Sequence, residues 1–398
     1  MRWSPPADVR KILSLFHAYL YRFGNDVVVV FDCYCHGPSV KDQEHLRRKA
    51  SCRSVAPTRN LAEDTTGIGP QEPFLANISN KMGFIQVLKN FLERVGIHVV
   101  QAEEDADTEI VSVALQFANN TARPVAVVAE DTDILALLLF HRQSTMSEVF
   151  LCSEAGKTSG RTPSTSKCIK ISSLQNELGS KACQRMLAVH AFGGCDSTSA
   201  IFGHGKGTIS KLMDRSGDLH NCCLTLQSST VSADEVKSAG VKLFAALYGE
   251  KVDESLAETT LSTRFRPESL PPSDSAAAMH ALRVHYQCVV WAALGRTTLT
   301  PTDWGWMVQD GVMTPIHLEG EISPSSLLKV IKCTCTTHCT RASCSCRKYG
   351  LHCLSACKPC RGTSCANRGT DLTELCDGIG SDIVFHDNAI YFFDEEVV

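Results

Sequence analysis

Acidic residues follow four short apolar runs of the sequence, and together they could hold a divalent metal ion. Glu130, Asp131 and Asp133 come after residues 125–129, the clearest of these runs. The other acids in such positions are Asp32 after residues 27–31, Asp105 and Asp107 after residues 96–100, and Asp196 after residues 192–195. Carboxylates a few ångströms apart repel one another, and a bound cation would remove that cost. The alternative is that each acid only caps the helix that follows it.

The apolar runs themselves predict buried strands of a parallel sheet. Residues 125–129 are too few for a helix, and small apolar side chains throughout are typical of a strand covered on both faces. The carboxyl ends of such strands form one edge, where the ligands of open α/β sheets bind. Hard oxygen ligands without a nearby histidine suit Mg²⁺ or Mn²⁺. We therefore predict a magnesium or manganese site at this edge.

Helical spacing of apolar residues alternates with these strands over the first half of the chain. It predicts helices over residues 7–23, 84–95, 108–119 and 174–190, and a charged helix over residues 41–49. The Pro- and Gly-bearing stretch 51–73 predicts a long loop, and the polar stretch 148–170 predicts a hairpin insertion. Helices that alternate with strands in this way predict an α/β fold with a parallel sheet and right-handed crossovers.

The second half of the chain predicts mainly helices, to which we assign packing and no chemistry. Residues 236–248 and 276–293 have helical apolar spacing, and residues 304–315 predict a compact turn. The predicted domains are an α/β domain over 1–212, a mainly helical region over 213–328, a cysteine-rich zinc module over 329–368 and a C-terminal tail over 369–398.

The composition is that of an ordinary globular protein and argues against two classes of function. Hydrophobic residues make up 43% and charged residues 21% of the 398 residues, and the net charge is −4. A chain of this charge is not a basic nucleic-acid binder as a whole, so basic residues would have to act locally. No apolar run approaches the ~20 residues that cross a membrane, and the first residues lack the pattern of a signal peptide. We expect an intracellular protein, with the nucleus favoured over the cytoplasm.

Nine of the 20 cysteines fall between residues 333 and 365, and their spacing predicts a zinc cluster. They are Cys333, Cys335, Cys339, Cys344, Cys346, Cys353, Cys357, Cys360 and Cys365. The segment has too few apolar side chains to fold without metal, and an odd number of cysteines cannot close as internal disulfides. Nine thiolates would satisfy about three tetrahedral zinc ions if about three of them bridge. Most other cysteines, including Cys183, Cys195 and Cys288, are expected to be single buried thiols of a reducing compartment.

Taken in order, the acidic motifs resemble those of flap endonucleases and their PIN-like relatives. The resemblance rests on residues 28–32 with Arg47 and Arg48 downstream, on Asp105-Ala106-Asp107, on Glu130-Asp131-Thr132-Asp133 and on Gly194-Cys195-Asp196. The stretch 200–207 also looks like a degenerate form of the glycine-rich turn with which those enzymes hold duplex DNA. The resemblance covers roughly residues 26–212.

The resemblance implies a nuclease in which two Mg²⁺ or Mn²⁺ ions clamp the scissile phosphate. Its ligands would be Asp105, Asp107, Asp131, Asp133 and Asp196, with Asp32 and Glu130 at the margin. The region 41–73 would span the active site as an arch, and the nucleic acid would be contacted by Arg47, Arg48, Lys49 and Lys206. The alternative for residues 41–49 is a solvated basic helix without such a role. Whether that nucleic acid is DNA or RNA stays open, and protein partners are unknown.

The sequence departs from the family at its first motif. The family opens with a buried strand that ends in an aspartate, whereas only a helix-like segment with Asp8 as its sole acid precedes Val27 here. A missing strand would leave a sheet edge beside Val27 or Val125 unpaired. A missing ligand would misplace the attacking water, and a displacement of ~1 Å can cost ~10²-fold in rate. We therefore expect a poor nuclease or none.

Two other functions compete with the nuclease interpretation. One is a non-catalytic nucleic-acid- or protein-binding zinc protein that retains the nuclease fold, for which an incomplete ligand set would be the evidence. The other is a phosphatase-like use of the same acidic residues.

The cysteine spacing is similar to that of the CXC module of tesmin-type DNA-binding proteins. Both share an opening C-x-C, gaps of four and six residues, and an asparagine, here Asn367, shortly after the final cysteine. The tyrosine that enters the DNA minor groove in that family is replaced by Ser343, or by His352 at the later corresponding position. Phosphate contacts would still come, in a salt-sensitive manner, from Arg341, Arg347, Lys348, Lys358, Arg361 and Arg368. Nucleic-acid binding and protein binding both stay open for this module.

Overall fold

The computed structural model of the chain describes residues 3–24, 26–33, 37–44, 46, 54–153, 167–248 and 271–317 of the N-terminal part. In the C-terminal part it describes residues 333–335, 339–340, 344–348, 352–353, 357, 360–361 and 365–367, which include all nine clustered cysteines. The chain divides into two compact units, Met1–Gly320 and Glu321–Val398. The described residues combine helices with small parallel sheets, so the predicted α/β class is confirmed. The predicted tail over 369–398 lies outside the described residues.

The first part of the larger unit consists of two parallel strands covered by helices. Its elements are α1 (Val9–Tyr21), β1 (Val28–Phe31), α2 (Gln71–Ala76), α3 (Ile78–Arg94) and β2 (His98–Gln101). Strands β1 and β2 run parallel over their whole length. Helix α3 begins after Asn77, whose side chain accepts a hydrogen bond from the backbone N–H of Asn80. The apolar faces of α1 and α3 meet around Leu13 and Leu88 and form the first hydrophobic core.

A second group of strands and helices follows directly in the chain. It comprises α4 (Ala106–Asn120), β3 (Val125–Val128), α5 (Thr132–His141), β4 (Val149–Ser153) and β5 (Lys167–Lys170). Strand β3 runs parallel to β4, and β4 pairs antiparallel with β5 to form the predicted hairpin insertion. Helix α5 is apolar along most of its length because it is buried, and Leu137 and Leu138 are fully enclosed.

The remaining elements of the larger unit are mainly helical. They are α6 (Ile171–Leu178), α7 (Ser180–Gln184), α8 (Met186–Phe192), α9 (Lys206–Met213), α10 (Gly217–Gln227), α11 (Ala233–Tyr248), α12 (Asp274–Ala292), a short 3-10 helix (Pro301–Asp303) and the hairpin strands β6 (Trp306–Gln309) and β7 (Val312–Pro315). Helix α12 is buried over nearly its whole length. Gly240 lets α11 approach it closely, because a Cβ there would collide with that of Ala281. A second hydrophobic core joins these helices to α4, α5, β3 and β4.

The strands form separate small sheets, whereas the sequence predicts one sheet. Strands β1 and β2 form one sheet, and β3, β4 and β5 form another. Among the described strands, none pairs with the second edge of β1 or of β3. Ala126 and Val128, which share one face of β3, are exposed, Val128 to 42%. The prediction of strands covered on both faces is therefore wrong for β3, because one of its faces is open to solvent.

Two local features also differ from the sequence-based expectation. The predicted helix over 174–190 is divided into α6, α7 and α8. The first division is at Gly179, whose φ of 80° is in the left-handed region that favours glycine, and the second is at Arg185. Cys152 and Cys168 stand opposite each other on β4 and β5, with Cα atoms 4.1 Å apart, and form a disulfide. These two are therefore not single thiols. None of the described helices is both long and apolar enough for a membrane span.

Candidate metal centres

Five carboxylates of the larger unit interact electrostatically with one another or with the same lysines, and define what we call the acidic edge: Asp105, Asp107, Asp131, Asp133 and Asp196. Asp105 and Asp107 lie at the start of α4, directly after β2, and Asp131 and Asp133 lie at the start of α5, directly after β3. Asp107 responds to the charges of Asp105, Asp131 and Asp133. The charge of Asp196 raises the pKa of Lys41, as do those of Asp105 and Asp107. It also acts to raise the pKa of Lys206, as do those of Asp131 and Asp133. The structure thus brings together acids from separate parts of the sequence.

Two of these carboxylates also cap the helices that follow them. Asp105 accepts a hydrogen bond from the backbone N–H of Asp107 at 3.5 Å, and Asp131 accepts one from that of Asp133 at 2.8 Å. A carboxylate at this position satisfies a helix donor and is stabilised by the helix dipole. The capping alternative is therefore realised at both helices. A carboxylate has two oxygens with several lone pairs, so capping does not by itself preclude cation binding.

The two acids that the sequence places at the margin differ in their surroundings. Asp32, directly after β1, accepts a hydrogen bond from the backbone N–H of Ala106 at 3.4 Å. It therefore lies at the start of α4, beside Asp105. Glu130 is exposed and directly precedes the capping residue Asp131.

Asp107 shows how much negative charge the acidic edge concentrates. Burial and the charge of Asp105 raise the pKa of Asp107 from 3.8 to about 7, and Asp131 and Asp133 add to this rise. The ammonium group of Lys41 acts in the opposite direction but does not cancel it. Hard oxygen donors with an excess of negative charge are what Mg²⁺ and Mn²⁺ prefer. The donor set and its charge therefore fit a divalent cation.

The carboxylate oxygens are nevertheless not gathered as tightly as metal ligands. Within the described parts of the chain, every set of three or more candidate ligand atoms that all lie within 4.8 Å of one another consists of cysteines. Binding of an ion at the acidic edge would therefore require carboxylates to move toward it.

Lys41 places a positive charge between two of the carboxylates. Its Nζ donates a hydrogen bond to Oδ1 of Asp105 at 2.7 Å and lies 3.6 Å from Oδ2 of Asp107. Burial lowers the pKa of Lys41, but the charges of Asp105, Asp107 and Asp196 outweigh burial and hold that pKa above its usual value. Lys41 is therefore a positively charged side chain that forms ion pairs within the acidic edge. Sequence reasoning placed it only at the start of a basic helix.

His190, which sequence reasoning missed, contacts another member of the edge. Its Nε2 lies 2.6 Å from Oδ1 of Asp133 and 3.1 Å from Nζ of Lys206. Burial raises the pKa of Asp133, but the hydrogen bond and charge of His190 outweigh it, so this pKa is lowered overall. The expectation of carboxylates without a nearby histidine is therefore wrong, because α8 carries His190 to Asp133. The available signal was a histidine inside the apolar run 186–192, where a buried polar group needs a partner.

In the smaller unit, the clustered cysteines stand at the distances of zinc ligands. Their Sγ atoms form three overlapping groups of four, each with all members within 4.8 Å of one another. The groups are Cys333, Cys339, Cys344 and Cys353; Cys333, Cys346, Cys353 and Cys357; and Cys339, Cys353, Cys360 and Cys365. The Sγ atoms of Cys333 and Cys339 are 3.8 Å apart, as are those of Cys333 and Cys353. A tetrahedron with Zn–S bonds of about 2.3 Å has edges of about 3.8 Å, so the cluster can hold zinc.

The described core of this unit consists of cysteine side chains alone. Asn367 fixes one of them, since its carbonyl accepts a hydrogen bond from the backbone N–H of Cys353 at 2.7 Å and its side chain donates to Cys353 Sγ at 3.5 Å. A core of thiolates without apolar partners is stable only around metal ions. This is the physical basis on which the sequence predicts a zinc module.

The basic residues predicted to contact nucleic acid fall into three groups. Lys206 lies beside His190, and burial lowers its pKa. Arg347 and Lys348 are exposed on the helical turn Ser345–Lys348, and Arg361 of the same unit is also exposed. The predicted contacts that lie outside the described residues are Arg47, Arg48 and Lys49 in the larger unit, and Arg341, Lys358 and Arg368 in the smaller one, together with Ser343.

Comparison with known proteins yields a distant structural likeness. No protein-family model matches the sequence, and no curated protein sequence matches it. Among solved structures, that of human GEN1 in complex with Holliday junction DNA is similar to this chain, with a TM-score of 0.32 and 17% sequence identity. The alignment covers 80% of this chain and 81% of GEN1 in that structure. A likeness this distant assigns neither a family nor a function, so any functional conclusion depends on the two metal centres themselves.

Proposed function

We propose that this protein is a nuclease-like protein that binds nucleic acid through divalent ions at its acidic edge and cleaves it poorly. The observation that carries the proposal is the convergence of Asp105, Asp107, Asp131 and Asp133 from two successive strand–helix junctions. Their charges act on one another strongly enough to raise the pKa of Asp107 to about 7, together with burial. Mg²⁺ or Mn²⁺ would relieve this repulsion. It would also keep coordination positions that a phosphate of a nucleic acid could occupy.

The residues of the acidic edge would have different roles in binding such ions. Asp105, Asp107 and Asp131 would be ligands, and Asp133 would be a ligand oriented by His190. Asp196 and Asp32 would complete the set, with Glu130 at its margin. A bound ion supplies a Lewis acid that polarises the phosphate and lowers the pKa of water. Lys206 and the basic residues 47–49 would neutralise phosphates of the backbone.

Two observations support poor cleavage. Among the described residues, carboxylate oxygens do not gather in threes within 4.8 Å, as the cysteine sulfurs do. Helix capping and the ion pair with Lys41 give these carboxylates partners other than a metal. A reacting group that is misplaced by ~1 Å can cost ~10²-fold in rate. Binding without efficient turnover follows from this arrangement.

The test separates binding from cleavage. Single-turnover assays with Mn²⁺ would use flap, nicked and single-stranded substrates, with Asp131→Ala as the matched control, and binding to the same substrates would be measured in parallel. We expect Mn²⁺-dependent binding that Asp131→Ala weakens, with slow cleavage or none. Cleavage at rates usual for enzymes, abolished in Asp131→Ala, would show that the edge is a complete nuclease site. If the affinity for nucleic acid changes neither with Mn²⁺ nor with Asp131→Ala, the proposed site is wrong.

For the smaller unit we propose a cluster of three zinc ions held by nine thiolates. The support is the overlap of the groups: Cys333, Cys339 and Cys353 each belong to more than one group and would bridge pairs of ions. Cys335, whose thiol interacts with that of Cys344, would complete the set around the first ion. Each ion would then have two bridging and two terminal thiolates.

We further propose that this zinc module adds nucleic-acid contacts of its own. Arg347 and Lys348 are exposed on one short helical turn and suit phosphate. Binding through them would weaken steeply with salt. Arg347→Gln combined with Lys348→Gln should reduce nucleic-acid affinity and its salt dependence, and unchanged values would favour a protein-binding module. Clustered thiolates are kept reduced inside the cell, and they support our proposal of an intracellular location, with the nucleus favoured.

A further inference from the structure

We propose that Lys41 is a built-in cation that competes with the divalent ion for the acidic edge, so that metal binding requires Lys41 to leave Asp105 and Asp107. The inference rests on the proposed metal site and adds a regulatory element to it. It predicts that the chain resists metal loading until this lysine moves.

The first support is the position of the ammonium group. Nζ of Lys41 donates to Oδ1 of Asp105 at 2.7 Å and lies 3.6 Å from Oδ2 of Asp107, with 24% of the side chain exposed. Mg²⁺ bonds to carboxylate oxygen at about 2.0–2.1 Å. An ion on the same oxygens would therefore sit next to the ammonium group, and the two like charges would repel each other.

The second support is that Lys41 is held in place by its own turn. The carboxylate of Asp42 accepts hydrogen bonds from the backbone N–H groups of Ser39 and of Met313, both at 2.9 Å. The backbone N–H of Lys41 donates to Oγ of Ser39 at 3.2 Å. The turn is thereby fastened to strand β7, which contains Met313. A lysine on a fastened turn loses less conformational entropy in its ion pair than a lysine on a mobile surface.

The third support is the charge that remains at the edge. Nζ of Lys41 is a single positive charge that lies 2.7 Å from one carboxylate, that of Asp105, and 3.6 Å from a second, that of Asp107, so one ammonium group does not neutralise both. The edge therefore still attracts a second cation of higher charge. A displaced Lys41 stays positively charged and close to the anion that the metal would bind. Metal loading would thus turn an internal counter-ion into a cation available to phosphate.

The experiment is calorimetric titration of the zinc-loaded full-length protein with Mn²⁺. The variants are Lys41→Met, which removes the competing charge, Lys41→Arg, which retains it, and Asp42→Ala, which releases the turn. Lys237→Met serves as the control, because Lys237 pairs only weakly with Asp234, at 4.0 Å on an exposed helix surface. We expect Lys41→Met to bind Mn²⁺ about tenfold more tightly, the size of one charge-assisted hydrogen bond. Lys41→Arg and the control should stay near wild type, and Asp42→Ala should fall between.

The outcomes distinguish this inference from the proposed function. Equal Mn²⁺ affinity of wild type and Lys41→Met would overturn the competition and leave the metal site standing. Weaker binding by Lys41→Met would also overturn it, since Lys41 would then support the site. No Mn²⁺ binding by any variant would overturn both. If Lys41→Met does not fold, the Mn²⁺ affinity of Asp42→Ala is the test. An affinity equal to or lower than that of the wild type would then reject the inference.

Discussion

The two candidate metal centres of this protein compensate the charges of their ligands in opposite ways. In the smaller unit, the sulfur atoms of each group of four stand within 4.8 Å of one another, and the described core contains cysteine side chains alone. At the acidic edge, helix N-termini, His190 and Lys41 already engage the carboxylates. Where the protein supplies its own counter-charges, a metal is optional for folding. Where it supplies none, we expect a metal to be part of the fold.

Removal of zinc should produce the largest effect and would test the first half of this comparison. Structural zinc sites contribute roughly 10–16 kcal/mol, which a segment without an apolar core cannot replace. We expect chelation to make the region around residues 333–367 sensitive to protease while the larger unit stays intact. Elemental analysis of the untreated protein should give close to three zinc ions per chain. A protease-resistant smaller unit after complete zinc removal would contradict the comparison.

Substitution of single cysteines should give the next largest effect. Cys353 belongs to all three groups of four, whereas Cys335 belongs to none of them. We expect Cys353→Ser to lose two or more of the about three zinc ions, because a bridging thiolate serves more than one ion. Cys335→Ser should lose at most about one. Equal zinc loss in the two variants, measured by elemental analysis, would argue against bridging at Cys353.

Substitution of Asp133 should destabilise the larger unit even without metal. Asp133 is 12% exposed and bonded to His190, and its pKa is lowered by that partner despite burial. Asp133→Asn should lower the free energy of unfolding by about 1–3 kcal/mol, the range for a buried hydrogen bond to a charged group. Chemical denaturation in a chelator measures this. A gain in stability would mean that repulsion, not His190, dominates at Asp133.

Substitution of Asp107 should have the opposite sign and should depend on pH. Its pKa is raised to about 7 in the folded protein, so the stability that its protonated form gives is present at low pH and is lost as pH rises through 7. At pH 8, Asp107→Asn should raise the free energy of unfolding by roughly 1–2 kcal/mol in metal-free buffer. The difference should shrink as pH falls and should vanish only below the unfolded pKa of 3.8, where the carboxyl is neutral in the folded and the unfolded chain alike. A pH-independent difference between the two proteins would contradict the assigned cause.

Substitution of Glu130 should have the smallest effect. Glu130 is exposed and precedes the capping residue, so the chain gives it no fixed place in the acidic edge. Glu130→Gln should change Mn²⁺ affinity by less than about twofold, as an exposed charge is screened by solvent. Calorimetric titration with Mn²⁺ measures this change, and Asp105→Asn, titrated in the same way, shows how large the loss of a ligand is. A loss as large as that of Asp105→Asn would move Glu130 into the ligand set.

The sequence predicts those features of the sites that depend on neighbours along the chain. A strand that ends in acids and continues into a helix is local, so Asp105 and Asp131 could be placed at their junctions. The cysteine segment is also local, because short spacings leave the thiolates few arrangements other than a metal cluster. Lys41 and His190 could not be placed, since their partners lie 64 and 57 residues away. Their contacts depend on how turns and helices pack, which the periodicity of the sequence does not encode.

The division of the strands into separate sheets could not be predicted for a related reason. Apolar runs indicate that strands form, but pairing depends on which strands become neighbours in space. The residue type of Val128 and its apolar neighbours predict a core position, yet Val128 is 42% exposed on an open face of β3. The absence of a described strand at the second edge of β1 and of β3 therefore changes the burial of residues whose types alone predict a closed sheet.

The divided sheet has a consequence for how the larger unit opens. The core around α1, α3, β1 and β2 is distinct from the core around α5 and α12. Asp26 and Arg123, which precede β1 and β3, form an ion pair at 2.8 Å that is too exposed to couple the two strongly. Amide hydrogens of β1 and β2 should therefore exchange through a sub-global opening that leaves α12 protected. Because Lys41 follows β1 in the chain, such a fluctuation would expose the carboxylates of α4 while the rest of the molecule stays folded.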